Sequence, residues 1–280
     1  MIYSIIGPGG YIGQRHIDAI HHSNGKIISY LDLKKCDSLN NDINFFSNED
    51  MFFEHLKESK PDFCVVCSPN YLHSNHIISI LQSGINVISE KPNCISIEEF
   101  LMIEKKIEET NLEVHTIMQL RLHPVIEKLK AISTDTKSRK KAKISFITPR
   151  DSEYLESWKT KKEFSGGILF NLGVHYFDLL IQAFGEALKS EVFYNEDYKA
   201  KGQTTFKNLD VEWYFSIDPD DQKNGMAVER LFEIDNEKIE FSKVPNDLHY
   251  ENYVEILKGS NMFSFKEIAS TMNFMFSINE

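Results

Sequence analysis

Over the first 120 positions, short apolar runs alternate with stripes at helical spacing. Ile2-Tyr3-Ser4-Ile5-Ile6 has the length of a buried parallel strand. Gly7-Pro8-Gly9-Gly10-Tyr11-Ile12-Gly13 interrupts it. Ile12, His16, Ala19 and Ile20 then recur at helical spacing until Asn24-Gly25. A second run, Lys26-Ile27-Ile28-Ser29-Tyr30-Leu31, ends on Asp32. The alternation continues with a helix to about residue 58, opened by the capping box Ser47-Asn48-Glu49-Asp50, and a strand over 63–67. A helix over about 74–83 closed by Gly84 and a strand over 86–89 follow. A helix to about 110, boxed by Ser96 and Glu99, and a strand over 113–118 complete the series. Such alternation predicts an α/β, doubly wound parallel sheet. Ligands bind beyond the carboxyl ends of its strands, where Asp32, Asn70 and Lys91 fall.

The pattern changes after Gln119-Leu120-Arg121-Leu122-His123-Pro124. A helix over 124–132 and a polar stretch over 133–141 precede strands at 142–148, 191–194, 209–217, 227–234 and 238–241. One amphipathic helix, 168–184, stands among them, and helices over 248–258 and 264–276 close the chain. This predicts an α+β domain with a large, mostly antiparallel sheet. Residues 1–120 are therefore expected to form a dinucleotide-binding Rossmann domain, and 121–280 a domain for substrate binding and oligomerisation. Trp213 and Phe215 alternate with Tyr214, so neither sheet face is fully polar. Sheet-to-sheet packing into a homodimer or homotetramer is expected.

Composition narrows the function. A net charge of −11 excludes a general nucleic-acid binder. No long apolar span predicts a chain that does not cross a membrane, and the absence of a basic start predicts a cytoplasmic protein. Of the cysteines, Cys36, Cys64, Cys67 and Cys94, the Cys64-x-x-Cys67 pair lies in a strand where residues three apart face opposite ways. No second Cys/His pair stands at zinc spacing, and His16, His21, His22, His73, His76 and His115 show no ligand spacing. No metal is expected.

The glycine turn has a specific chemistry. Gly7 can take a positive φ cheaply, a side chain at Gly10 would block a pyrophosphate from the helix N-terminus, and Gly13 lets the helix lie close on the strand. The pattern fits G-x-x-G-x-x-G rather than G-x-G-x-x-G, whose sixth place holds Ile12. Asp32 can accept from both ribose hydroxyls and would repel a 2′-phosphate, so NAD is expected over NADP, with Lys34 and Lys35 as a counterweight. Gly7, Gly9, Gly10, Tyr11, Ile12 and Asp32 are the cofactor residues this turn supplies.

Together with Ser68-Pro69-Asn70-Tyr71-Leu72-His73, Glu90-Lys91-Pro92 and Gly173-Val174-His175, the turn resembles the glucose-fructose oxidoreductase/inositol dehydrogenase (Gfo/Idh/MocA) family along nearly the whole chain. Residues 119–124 and Ser165-Gly166-Gly167-Ile168-Leu169-Phe170-Asn171-Leu172-Gly173-Val174-His175 are similar to those of bacterial UDP-N-acetyl-2-amino-2-deoxy-D-glucuronate dehydrogenases. Many family members carry Asp at the position of Asn171. The resemblance implies NAD-dependent oxidation of the 3-hydroxyl of a UDP-N-acetylglucosaminuronic acid in nucleotide-sugar synthesis for surface polysaccharide (O-antigen). It adds Ser68, Asn70, His73, Glu90 and Lys91 to the cofactor residues. Two alternatives stand beside it: a dehydrogenase of a free sugar or polyol, and a non-catalytic NAD-binding sensor, against which Lys91 and His175 weigh.

Oxidising a secondary alcohol needs a base at the hydroxyl and a donor or positive group for the developing alkoxide. His175 and Lys91 are the candidates, His175 as base and Lys91 as orienting group, or Lys91 as base if desolvation lowers its pKa. Asn171, four residues before His175, can hydrogen-bond a sugar hydroxyl but cannot take its proton. Arg121, Arg150, Lys159, Lys161 and Lys162 are candidates for the diphosphate and carboxylate. Tyr154 and Trp158 could offer flat surface to a sugar or uracil.

Overall fold

The computed structural model describes residues 1–280 except 136–137, 224–228, 242–246 and 280. Its contacts form two compact units, Met1–Gln119 with Asn246–Ile268, and Leu120–Pro245 with Ala269–Glu280. The break near 120 lies where the sequence pattern changes. The return of 246–268 to the first unit is an addition that no hydrophobic pattern announced.

In the first unit, β1 (Ile2–Ile6), α1 (Tyr11–His22), β2 (Lys26–Leu31), β3 (Asn44–Phe46), α2 (Glu49–Ser59), β4 (Phe63–Val66), α3 (Asn70–Gln82), β5 (Asn86–Ser89), α4 (Ile97–Thr110) and β6 (Val114–Thr116) follow one another, strand alternating with helix as expected except at β3. The six strands pair in parallel in the order β3-β2-β1-β4-β5-β6. The order reverses between β1 and β4, which opens a crevice at their carboxyl ends. Ile5, Val65, Val66, Val87 and Ile88 are fully buried. Ser4 and Ser29, the polar interruptions in β1 and β2, face each other across the ladder at 2.7 Å.

Three local features differ from expectation. The α2 cap is Asn48, whose Oδ1 accepts from Met51 N, rather than Ser47. Helix α3 begins at Asn70, four residues early, with Pro69 at its N-cap. β3 was not anticipated, having only three residues. The Ser96–Glu99 box holds as expected, with Ser96 Oγ accepting from Glu99 N and Glu99 Oε2 accepting from Ile95 N.

The second unit contains α5 (Val125–Thr134), β7 (Lys140–Ile147), the short helices α6 (Ser152–Glu156) and α7 (Lys162–Ser165), and α8 (Val174–Phe184). After these come β8 (Lys189–Asn195), β9 (Lys199–Thr205), β10 (Leu209–Ser216), α9 (Pro219–Lys223), β11 (Glu229–Ile234) and β12 (Glu237–Lys238). The expected strand start at 227 lies outside the described residues. Helix α10 (Leu248–Leu257) belongs to the first unit, and α11 (Phe265–Asn279) closes the chain. The second sheet runs β12-β11-β7-β10-β9-β8 and is antiparallel except for the parallel pair β7 and β10.

β9 escaped the sequence reading because its buried positions are Ala200, Gly202 and Thr204 rather than large apolar residues. They are small for a reason: a Cβ on Gly202 would lie 2.3 Å from the Trp213 ring. Trp213 and Phe215 are fully buried and stack edge-on against Phe177 of α8 at 5.6 and 5.8 Å. The opposite sheet face carries Lys141, Lys143, Glu191, Gln203, Glu212 and Glu233 around a groove of about 530 Å³, more polar than the aromatic alternation suggested. Among the described residues one stretch, Lys162–Phe184, is apolar and long enough to cross a membrane, yet most of it is buried in this unit's interior.

Candidate active site

The glycine turn of the first unit is built as its chemistry requires. Gly7 has φ +77°, and a Cβ there would lie 2.9 Å from Cys67 O. A Cβ on Gly13 would meet Pro8 O at 2.5 Å, so only glycine lets α1 approach the strand end. A Cβ on Gly10 would meet only Gly7 O, at 3.7 Å, which leaves that side of the turn open. Asp32 is fixed beside it, its Oδ2 accepting from Gly9 N at 2.8 Å and its Oδ1 from Leu33 N at 2.7 Å. Tyr11 is exposed and Ile12 half-buried, and Arg15 reaches back to donate to the Tyr11 hydroxyl.

Helix ends separate by role. The N-termini of α1 and α3 carry neither a side-chain cap nor an acidic residue in the first turn. Those of α2 and α4 are capped by Asn48 and Ser96 and carry Glu49, Asp50, Glu98 and Glu99. Bare, positively polarised ends favour an anion. With the open side at Gly10 and the carboxylate at Asp32, they fit the pyrophosphate and a ribose of NAD.

Ser68, at the end of β4, donates to Nδ1 of His76 at 2.8 Å, whose Nε2–H is directed at Glu49 at 3.3 Å. Burial pulls His76 below its ordinary pKa against the pull of Glu49. Asn70 and His73 lie on α3, both buried. The His73 ring sits between two carbonyls, Nδ1 at 2.6 Å from Pro92 O and Nε2 at 2.6 Å from Ser68 O, joining the loops after β4 and β5. Burial lowers its pKa, opposed by both carbonyls.

Glu90 lies at the centre of a buried polar group. His16 Nε2 lies 3.0 Å and His249 Nε2 3.1 Å from the same oxygen, Glu90 Oε1. A carboxylate can only accept, so both rings donate there. The second nitrogen of His16 then accepts from the Tyr253 hydroxyl at 2.7 Å. The Gln119 amide nitrogen also lies 3.1 Å from His249 Nε2. Glu90 Oε2 accepts from the main-chain N–H of Lys91 at 3.1 Å. Burial alone would raise the Glu90 carboxyl, but the donors His16 and His249 hold it well below the usual range. Burial lowers His16, so the ring stays neutral beside it. Lys91 itself is half-buried.

In the second unit, residues Leu169–Gly173 form a π-helical turn that leads into α8, in place of the uninterrupted helix expected over 168–184. Such turns concentrate at functional sites. Asn171 lies within it and His175 just after it, both half-buried. The Asn171 amide donates to Lys159 O at 2.8 Å, so part of its hydrogen-bonding capacity is spent on the main chain. Arg150, Tyr154, Lys159 and Asn171 line one small pocket. The Arg150 guanidinium lies 4.6 Å above the Tyr154 ring, and Lys159 Nζ lies 5.2 Å from Tyr154 and 6.0 Å from Trp158. Lys161 packs instead over Phe164 at 5.9 Å, and Lys162 lies beside Gly167. Arg121 is buried and donates from Nε and Nη2 to both oxygens of Asp178 at 2.8 and 2.6 Å. Thr271 donates to the same carboxylate. This bidentate pair ties the start of the second unit to α8.

His16, His249, Tyr253 and Asp178 were missed as partners in the sequence. The signal for His16 was present: it occupies a position in the apolar stripe of α1, where a polar residue must find a buried partner. His249 and Tyr253 gave none, because α10 reads as an ordinary closing helix.

Residues 1–117 match the oxidoreductase family with the NAD-binding Rossmann fold, and 139–222 match that family's C-terminal alpha/beta domain. The WlbA (WbpB) dehydrogenase of Thermus thermophilus, solved with NAD and α-ketoglutarate, is 31% identical over 100% of this chain and 94% of its own, with a TM-score of 0.90. Its structure with NAD and UDP-GlcNAcA is likewise 31% identical, with 100% and 95% coverage and a TM-score of 0.89. The glucose-6-phosphate 3-dehydrogenase of Bacillus subtilis is 24% identical over 72% of this chain and 58% of its own length. The chain spans 38–58% of the length of the curated relatives it matches.

Proposed function

The chain belongs to the Gfo/Idh/MocA family of NAD-binding oxidoreductases, and on that premise we propose that it oxidises the 3-hydroxyl of a UDP-N-acetylglucosaminuronic acid to the 3-keto sugar, reducing NAD. The observation that carries this reading is the full-length similarity to a dehydrogenase solved with NAD and UDP-GlcNAcA, joined to the carboxylate at Asp32 and the bare helix ends beside it. NAD supplies the hydride acceptor. Asp32 takes the ribose hydroxyls and disfavours a 2′-phosphate, and the α1 and α3 N-termini take the pyrophosphate.

His175 receives the proton of the reacting hydroxyl and Lys91 orients it and steadies the alkoxide. Asn171 contributes hydrogen bonds to the sugar but no proton transfer. Arg150 and Lys159, held over Tyr154 and Trp158, supply cations and ring faces suited to a nucleotide sugar with diphosphate and carboxylate groups. The buried ion pair of Arg121 with Asp178 favours a positioning role for Arg121. Copies of the chain associate through the open face of the second sheet. The product suits a surface-polysaccharide pathway in the cytoplasm.

The test is to incubate the protein with NAD or NADP and a panel of UDP-sugar acids and free polyols, following nicotinamide absorbance and product mass. NADH formation with a UDP-sugar acid, and a product two mass units lighter, is expected. Turnover of free polyols alone would overturn the substrate assignment, and equal use of NADP would overturn the role of Asp32.

A further inference from the structure

Glu90 is almost fully buried, and so are His16, His249 and Tyr253, all of which belong to the first unit. They come from α1, the end of β5, and α10, up to 237 residues apart in sequence. Burying a carboxylate among imidazoles is costly compared with an apolar plug of similar volume. What the polar group provides is direction. One carboxylate oxygen is fixed by two imidazole N–H donors, and the other takes the Lys91 main-chain N–H at 3.1 Å. On the far side of Lys91, the carbonyl of Pro92 lies 2.6 Å from Nδ1 of His73, whose Nε2 lies equally close to Ser68 O. The residue that carries the ammonium group is thus held through its main-chain N–H.

We infer that His16 and His249 are positioning residues for Lys91: they orient the Glu90 carboxylate, and the carboxylate fixes the main chain from which the Lys91 side chain projects. The inference rests on the catalytic role given to Lys91 above. Neither histidine touches cofactor or substrate in this scheme. His16 Nε2, His249 Nε2 and Glu90 Oε1 also lie close enough together to enclose a metal ion. Yet each ring stands from the carboxylate at the length of an ordinary N–H···O bond, and Tyr253 occupies the other nitrogen of His16. A set of direct hydrogen bonds accounts for all of these contacts.

Two substitutions at one position separate positioning from mere filling. His16→Gln places an amide N–H near the site of Nε2 and can still donate to Glu90. His16→Asn places its amide near Nδ1, can still meet Tyr253, and loses the Glu90 bond. Both are compared with wild type for NADH affinity, kcat and KM, and for the deuterium isotope effect on kcat with substrate labelled at the reacting carbon. Hydrogen exchange of the Lys91 amide is followed by NMR with no substrate present.

His16→Asn should lower kcat about tenfold to a hundredfold, as loss of an orienting partner does, with KM and NADH affinity within about twofold of wild type. Its isotope effect should rise and the Lys91 amide should exchange about tenfold faster, while His16→Gln recovers most of each. If His16→Asn does not fold, His249→Asn and His249→Gln carry the same comparison. Equal kcat and equal Lys91 exchange in the Asn and Gln variants would overturn the inference, as would a stoichiometric metal in the purified protein. If wild type turns over no member of the panel, the functional reading fails by itself, and the substrate-free exchange of Lys91 still decides the positioning.

Discussion

The first unit buries a set of directional polar contacts, one of which holds the Lys91 main chain, whereas the second unit packs rings beneath α8, the helix that carries His175. Ser4 and Ser29, Ser68 and His76, His73 with two carbonyls, and Glu90 with two imidazoles all lie within the first unit. Beneath α8 the corresponding space holds Phe146 stacked on Tyr176 at 4.0 Å, and Phe177 against Trp213, Phe215 and Phe274. The single buried ion pair there, among the described residues, is Arg121 with Asp178. Rings give large burial with loose angular demands, while hydrogen bonds give little net stability and strict angles. A turn that must hold one main-chain N–H benefits from the second kind. A helix that must stay seated on a sheet is served by the first.

Deleting a ring should therefore appear as lost stability. Phe177→Ala is expected to cost about 3–5 kcal/mol, read from the denaturant midpoint. A cost below about 1 kcal/mol would mean that the stack does not carry the second unit.

Deleting either reacting group should leave the fold intact and appear in turnover. His175→Asn and Lys91→Met should each reduce kcat at least about a hundredfold while NAD affinity changes little. The pH profile sharpens the contrast. If His175→Asn keeps nearly full activity and the alkaline rise while Lys91→Met loses both, the base lies in the polar region and His175 only assists.

Acid should distinguish the two interiors by the smallest effect. Burial holds His16, His73 and His76 below the ordinary value of 6.5 in the folded first unit. As pH falls below about 6.5 the unfolded chain binds protons that the folded chain does not, so stability declines, by at most about 1.4 kcal/mol per pH unit for each ring. Glu90 acts in a lower window: its depressed pKa stabilises the fold above the ordinary value of 4.5, and this is lost as pH falls through the folded value. In the second unit, burial likewise lowers His123. Both tryptophans, Trp158 and Trp213, belong to the second unit. Between pH 7 and 5, amide exchange should rise in β1 and β4 before tryptophan emission changes. Emission changing first would reverse the comparison.

The same contrast governs how much was legible in advance. Every element of the parallel sheet longer than three residues follows from apolar period and turn chemistry, and so do the glycine turn and Asp32. β9 was hidden because its inward residues are small to make room for Trp213, so no apolar alternation marks it. The π turn at 169–173 was hidden because its composition is that of an α-helix. Lys91 and His175 could be named from local motifs, yet the partners of Glu90 could not. A hydrogen bond across 74 or 159 residues leaves no trace in spacing, except for the odd histidine within the stripe of α1.

The return of residues 246–268 to the first unit sets an order of manufacture. The ribosome completes all six strands of the parallel sheet, then the whole of 120–245, before His249 and Tyr253 exist. Glu90 therefore waits 159 residues for its second donor. Until then the nascent sheet encloses a carboxylate with one imidazole instead of two, a half-satisfied interior of the kind that chaperones and proteases inspect. A chain cut at 119 would keep every glycine of the cofactor turn and still lack the residues that close over its own charge.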